Sequence, residues 1–191
     1  MRAAPRPLGL AVGLAVLAGL IAGCALPQAR RLRRFEATLA AHDSATAALE
    51  EWCAANGIGN PPQVTATVVE AAPPPEPGDA RRLLGVAADA PLAYRHVRLT
   101  CGAMTLSLAH NWYVPERLSP AMNRTLATTH VPFGKVAAPL GYRRERLGTL
   151  PRHAPQCPPG TVLAHRAVLR LPDGRGLALL VECYTAANLG D

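Results

Sequence analysis

Two apolar runs near the C-terminus, Thr161 to Leu171 and Gly176 to Thr185, flank the turn signal Pro172-Asp173-Gly174 and constrain the fold more than any other feature. Such a pair reads as a long antiparallel hairpin. Its second arm, Leu177-Ala178-Leu179-Leu180-Val181-Glu182-Cys183-Tyr184, lacks the apolar and polar alternation of a half-exposed strand, so it reads as a strand packed on both faces. Glu182 interrupts that run alone. An ionised carboxylate buried without a partner costs several kcal/mol or more. Glu182 is therefore neutral, met by a cation, or met by a ligand, unless the strand lies at an edge and Glu182 points to water.

Upstream, the helical pattern from Arg33 to Asn56 breaks at His42-Asp43-Ser44, where Asp43 or Ser44 caps a second helix that Gly57 stops. Gln63 to Glu70 alternates like a first strand. Ala71 to Gly78 holds four prolines and reads as a covering loop or linker. Ala93 to Val114 forms a hairpin turning at Gly102-Ala103, and Pro115 ends it. Ser119-Pro120 opens a helix over Ala121 to Thr128. Val131-Pro132-Phe133-Gly134 reads as a tight loop with backbone amides free to face a ligand, and Leu140 to Leu150, bearing Arg143, Arg144 and Arg146, as a further strand. The sum is an α+β domain, an antiparallel sheet of five or six strands with helices on one side.

A chain of 191 residues has room for one such domain, taken as residues 36–191. The net charge of +7 comes from 19 arginines and one lysine, tightly clustered only at Arg30, Arg31, Arg33 and Arg34. With aromatics at 4%, the basic stripe interleaved with rings that marks a nucleic-acid binder is missing, and no nucleic-acid partner is expected.

Arg2 and Arg6 precede an apolar stretch from Leu8 to Ala22, which ends in Ile21-Ala22-Gly23-Cys24. This is the small-residue pattern of a bacterial lipoprotein signal, residues 1–24, with Cys24 as the lipidated residue and 25–35 as a basic tether. The expected location is the periplasmic side of a membrane, lipid-anchored. The arginines after the apolar stretch argue instead for a signal anchor, but the stretch is short and Gly-rich for a permanent span. Cys53, Cys101, Cys157 and Cys183 remain, enough for two disulfides in any of three pairings, and Cys53 with Cys157 is the more accessible pair if only one forms.

Strand parity offers Glu182 a partner. Arg95 shares its face with Val97, Leu99 and Cys101, while Arg98 falls on the other face. A guanidinium fork suits a carboxylate, so Arg95 and Glu182 facing one hollow would hold two ends of a small polar molecule, or else pair with each other. His110 to Tyr113 read as packing. Ser44 and Ser107 have no evident base, the six histidines show no ligand spacing, and no Gly-rich dinucleotide turn is present. No metal or cofactor is expected.

Asp43-Ser44-Ala45-Thr46, Arg95-His96-Val97-Arg98-Leu99, Tyr113-Val114-Pro115, Pro132-Phe133-Gly134 and Val181-Glu182-Cys183 follow one another in an order and spacing that resembles the chorismate pyruvate-lyase family. The fold of that family is shared by ligand-sensing domains of some bacterial transcription regulators, and the match runs from about Asp43 to Tyr184. The resemblance implies a closed pocket for a small aromatic carboxylate, in which chorismate is split to 4-hydroxybenzoate and pyruvate without cofactor. Arg95 and Glu182 match the family's catalytic Arg and Glu, and Ala45, Phe133 and Gly134 its ligand-facing backbone. Asn111 stands where the family carries a second Arg. That departure, with the export signal, favours a non-catalytic periplasmic binder as the alternative to a lyase.

Overall fold

The computed structural model describes residues 27–190. The lipoprotein signal and Cys24 lie outside the described residues. Helix α1 covers residues 27–40 and α2 covers Ala45–Ala55. Six strands follow: β1 (Val64–Val68), β2 (Ala93–Cys101), β3 (Met104–Tyr113), β4 (Arg143–Leu150), β5 (Thr161–Arg170) and β6 (Gly176–Thr185). Helices α3 (Ala80–Leu84), α4 (Pro120–Thr128) and α5 (Phe133–Ala137) lie in the connections. All strands pair antiparallel in the order β1-β2-β3-β6-β5-β4. The sheet is thus two three-stranded blocks, β1 to β3 and β4 to β6, joined where β3 pairs with β6.

β6 is buried at every position from Gly176 to Tyr184, which is why its sequence shows no alternation. Gly176 is there because a Cβ would meet the Leu84 Cα at 2.7 Å, so α3 packs directly on the strand. One face of the sheet carries Arg95, Val97 and Leu99 of β2, and opposite them Asn111, Ala109 and Ser107 of β3. Leu180, Glu182 and Tyr184 of β6 continue that face, followed by Ala167, His165 and Leu163 of β5 and by Arg144 of β4. It is covered by α1 and α2 through Phe35, Leu39, Leu49 and Trp52, and by α5 through Phe133, Val136 and Ala137. On the other face, α3 sets Ala80 and Leu84 against Val168 and Leu179, so both faces have helical cover.

Two expectations shift. α1 begins at residue 27, ahead of the helix start read at Arg33, because Leu32, Phe35 and Leu39 dock it and the Arg31 guanidinium donates to the Asn188 carbonyl at 3.0 Å. Residues 27–35 are therefore helix rather than tether. The stretch read as a tight loop at Val131 to Gly134 turns helical at Phe133, since Pro132 precedes a turn whose Lys135 and Val136 amides donate back to its carbonyl.

The disulfides are Cys53–Cys101 and Cys157–Cys183, not Cys53–Cys157. Each joins a helix or loop cysteine to a strand cysteine, the first on the α2 face and the second on the other face. On that second face His110 donates from Nε2 to the Gln156 carbonyl at 2.8 Å and accepts from the Tyr94 hydroxyl at 2.7 Å, with His96 stacked on it at 4.1 Å. His110 and Trp112 pack on that face, while Asn111 and Tyr113 between and beyond them point to the α2 and α5 side.

Candidate functional site

Where α2 and α5 meet the sheet, a small hollow of about 40 Å³ is left. Its floor is Val97, Leu99, Ala109, Asn111, Leu169, Leu180 and Glu182, and its roof is Ser44, Ala45, Thr46, Phe133, Gly134 and Tyr142. Most of the lining is apolar, the usual character of a small-molecule pocket.

The roof is built by helix capping. Ser44 caps α2, its hydroxyl accepting from the Ala47 amide at 3.3 Å, which turns the first residues of α2 toward the sheet. α5 approaches so closely that a Cβ on Gly134 would stand 2.7 Å from the Ser44 hydroxyl and 3.0 Å from those of Thr46 and Tyr142. Glycine is required there by space. Tyr142 closes the ring by donating to the Gly134 carbonyl at 3.1 Å, and burial pushes its phenol pKa up.

The cation that meets Glu182 is Arg144, not Arg95. Arg144 Nη2 donates to Glu182 Oε2, and both side chains are about 5% exposed or less. Tyr184, fully buried, donates to the same oxygen at 3.0 Å. The backbone of Arg144 is fixed in turn by the Asp43 carboxylate, which accepts from its amide at 3.2 Å. Burial works most strongly against the Arg144 charge, but Glu182 together with Tyr184 and Tyr142 outweighs it, and the pKa is raised. Burial and then the Glu182 charge raise the Tyr184 phenol well above its usual value, so it stays a donor. His165, opposite Glu182 on β5, is completely buried with neither ring nitrogen hydrogen-bonded to a described residue. Burial first, opposed by Glu182 and reinforced by Arg144 and Arg146, lowers its pKa to about 4, so the ring is neutral at pH 7.

Arg95 lies on the same face as Glu182, two strands and two residues away, about 12 Å by sheet spacing. It sits one step along β2 from Val97 and opposite Asn111, next to the residues that line the hollow but not among them. It is 6% exposed, and Nε, Nη1 and Nη2 find no hydrogen-bond partner among the described residues. Burial lowers its pKa while neighbouring Tyr113 opposes that shift, and a guanidinium remains charged regardless. Of the residues singled out from sequence, the hollow thus brings together Ala45, Asn111, Phe133, Gly134 and Glu182, with Arg95 adjoining. Arg144, Tyr142, Tyr184 and His165 were missed as site residues. Among the described residues no group of three or more His, Cys, Asp or Glu side chains is arranged to hold a metal ion.

No protein-family model matches the sequence. A protein of Sinorhizobium fredii described as uncharacterized protein y4mC is 37% identical over 173 residues, covering 81% of this chain and 73% of its own length. Among solved structures, the effector domain of PhnF from Mycobacterium smegmatis superposes with a TM-score of 0.55 over 76% of this chain and 90% of that domain, at 16% identity. Complete PhnF gives the same TM-score over 77% of this chain, which spans 65% of its length. At that identity the likeness shows the fold alone, and the fold is the chorismate-lyase-like one.

Proposed function

Because this chain belongs to the family of the Sinorhizobium fredii protein y4mC and carries the chorismate-lyase-like fold, we propose that it binds a small, singly charged carboxylic acid in the hollow under α2 and α5. The observation that carries the proposal is Arg95. A buried guanidinium with three unpaired nitrogens is expensive, and a carboxylate accepting from its fork removes that cost. The apolar floor between Arg95 and Glu182 suits an aromatic or aliphatic body. The Glu182 oxygen not engaged by Arg144 and Tyr184 suits a hydroxyl on its far end.

The charge count favours binding over the lyase reaction. Arg144 is neutralised by Glu182, and Asn111 is uncharged, so one cation is left for the ligand where doubly charged chorismate asks for two. Thermal unfolding of the protein with benzoate and 4-hydroxybenzoate tests the reading. A ligand at a hundredfold its Kd adds about 2.7 kcal/mol of stability, and Arg95→Ala should abolish the rise while leaving the protein folded. If no member of a panel of small carboxylic acids shifts the wild-type melting temperature, the binding proposal fails. Pyruvate released from chorismate would establish the lyase instead.

The same proposal places the domain outside the cytoplasm, held to a membrane through Cys24. Two disulfides suit an oxidising compartment, and Ile21-Ala22-Gly23-Cys24 suits lipid attachment. Labelled palmitate incorporated by the expressed wild type and not by Cys24→Ala is the expected result. Equal labelling of the two would remove the anchor.

A further inference from the structure

α1 presents two faces. Leu32, Phe35 and Leu39 are turned inward onto the core, and Arg31 stacks its guanidinium 5.8 Å from the Trp52 ring centre. Arg30, Arg33 and Arg34 recur at the one-turn spacing of a helix and are all exposed. None of the three forms a salt bridge with a described residue, whereas His42 pairs with Glu51 and Arg144 with Glu182 close by. Arg146, also exposed, lies across a surface hollow at the C-terminal end of the helix, which Asp43 lines as well. Glu36, half-exposed and three residues from Arg33, is the one acid beside the stripe, and the like charges of Arg30 and Arg34 one turn apart repel, so the stripe adds little to the stability of the helix.

The sequence places this stripe beside a membrane-compatible segment. Only residues 23–26 separate the apolar stretch Leu8 to Ala22 from the start of α1. Four residues span at most about 14 Å, and the 14 residues of α1 run about 21 Å. With the membrane attachment proposed above, α1 is the first described element after the apolar stretch. Anionic headgroups attract arginines within about 10 Å at ordinary salt.

We propose that the exposed stripe of α1 lies on anionic lipid headgroups and so fixes how the domain sits on its membrane. The stripe is on the side of α1 away from the sheet, so this docking leaves the hollow under α2 and α5 uncovered. The inference rests on the membrane attachment proposed above and not on what that hollow binds.

The two tryptophans, Trp52 under α1 and Trp112 on the other face of the sheet, report the geometry directly. The complete chain is reconstituted into phosphatidylcholine vesicles, with or without phosphatidylglycerol, that carry a trace of dansyl lipid as energy acceptor. Transfer from tryptophan should be about twofold higher with the anionic lipid. It should fall to the neutral-vesicle level in about 1 M salt, where the screening length is about 3 Å. Replacing Arg30, Arg33 and Arg34 by Gln should have the effect of salt, with flotation showing that the variant stays on the vesicles. Equal transfer from both vesicle types, or transfer in the wild type that ignores salt, overturns the proposal. So does a wild type that shows no lipid preference yet binds duplex DNA through these arginines. Should the Gln variant not fold, the salt series on the wild type decides alone.

Discussion

The lone acid in β6 is answered by a charge from Arg144 and a hydrogen bond from Tyr184, with the neutral ring of His165 as its neighbour across the strands. Removing one member of a buried ion pair leaves the other uncompensated. Arg144→Ala and Glu182→Ala should therefore each lower the stability read from urea midpoints by about 3–5 kcal/mol, while the joint Leu and Leu replacement costs far less. Tyr184→Phe should cost about 1–3 kcal/mol, the penalty for one buried hydrogen bond lost to a charged acceptor. His165 makes the same cluster sensitive to acid. Its folded pKa of about 4 lies below the usual 6.5, so the folded state binds fewer protons than the unfolded one. Stability is complete above about pH 6.5 and declines as pH falls toward 4, by about 3 kcal/mol for this residue alone. His96, also lowered to about 4 by burial and then by His110 and Arg98, acts in the same direction. In urea titrations between pH 7 and pH 4, His165→Gln should flatten the decline without removing it.

At the level of elements, α2 is both roof and anchor. Ser44 caps it and lines the hollow, and Cys53 ties its far end to β2 across 48 residues of sequence. Ser44→Ala should cost about 1 kcal/mol, and opening the Cys53–Cys101 bridge by paired Ser substitution about 2–4 kcal/mol. Amide exchange in α2 should accelerate in both cases, more at its N-terminus in the first and at its C-terminus in the second. Gly134→Ala should push α5 off the three hydroxyls it touches and weaken ligand binding more than it lowers stability. The long hairpins were readable in the sequence because Pro172-Asp173-Gly174 and Gly102 mark turns between strands of ordinary length. α3 and α5 were not. Five residues are too few to show a helical period, and both helices are held by tertiary contact with β6 and α2 rather than by propensity. Arg144 was passed over for a related reason. Its strand, with exposed Arg143, Glu145 and Arg146 around it, reads as a solvated edge, and only the register against β5 turns that one guanidinium inward. Strand parity grouped Arg95 with Val97, Leu99 and Cys101, but the face Glu182 shares and the cation nearest to it are set by the register between strands, which parity does not carry.

For the molecule as a whole, the strand order matters more than the strand count. Arg95 and Asn111 come from the first block of three strands and Glu182 and Arg144 from the second, so the two ends of the proposed site are contributed by different halves of the chain. They are brought into register by the pairing of Ser107 to Tyr113 with Ala178 to Tyr184. A bound acid that touches both halves becomes a rivet across that junction. Its grip should slow amide exchange in both joined strands together, and a chain cut in the connection between the halves should recover its association most readily in the presence of the acid.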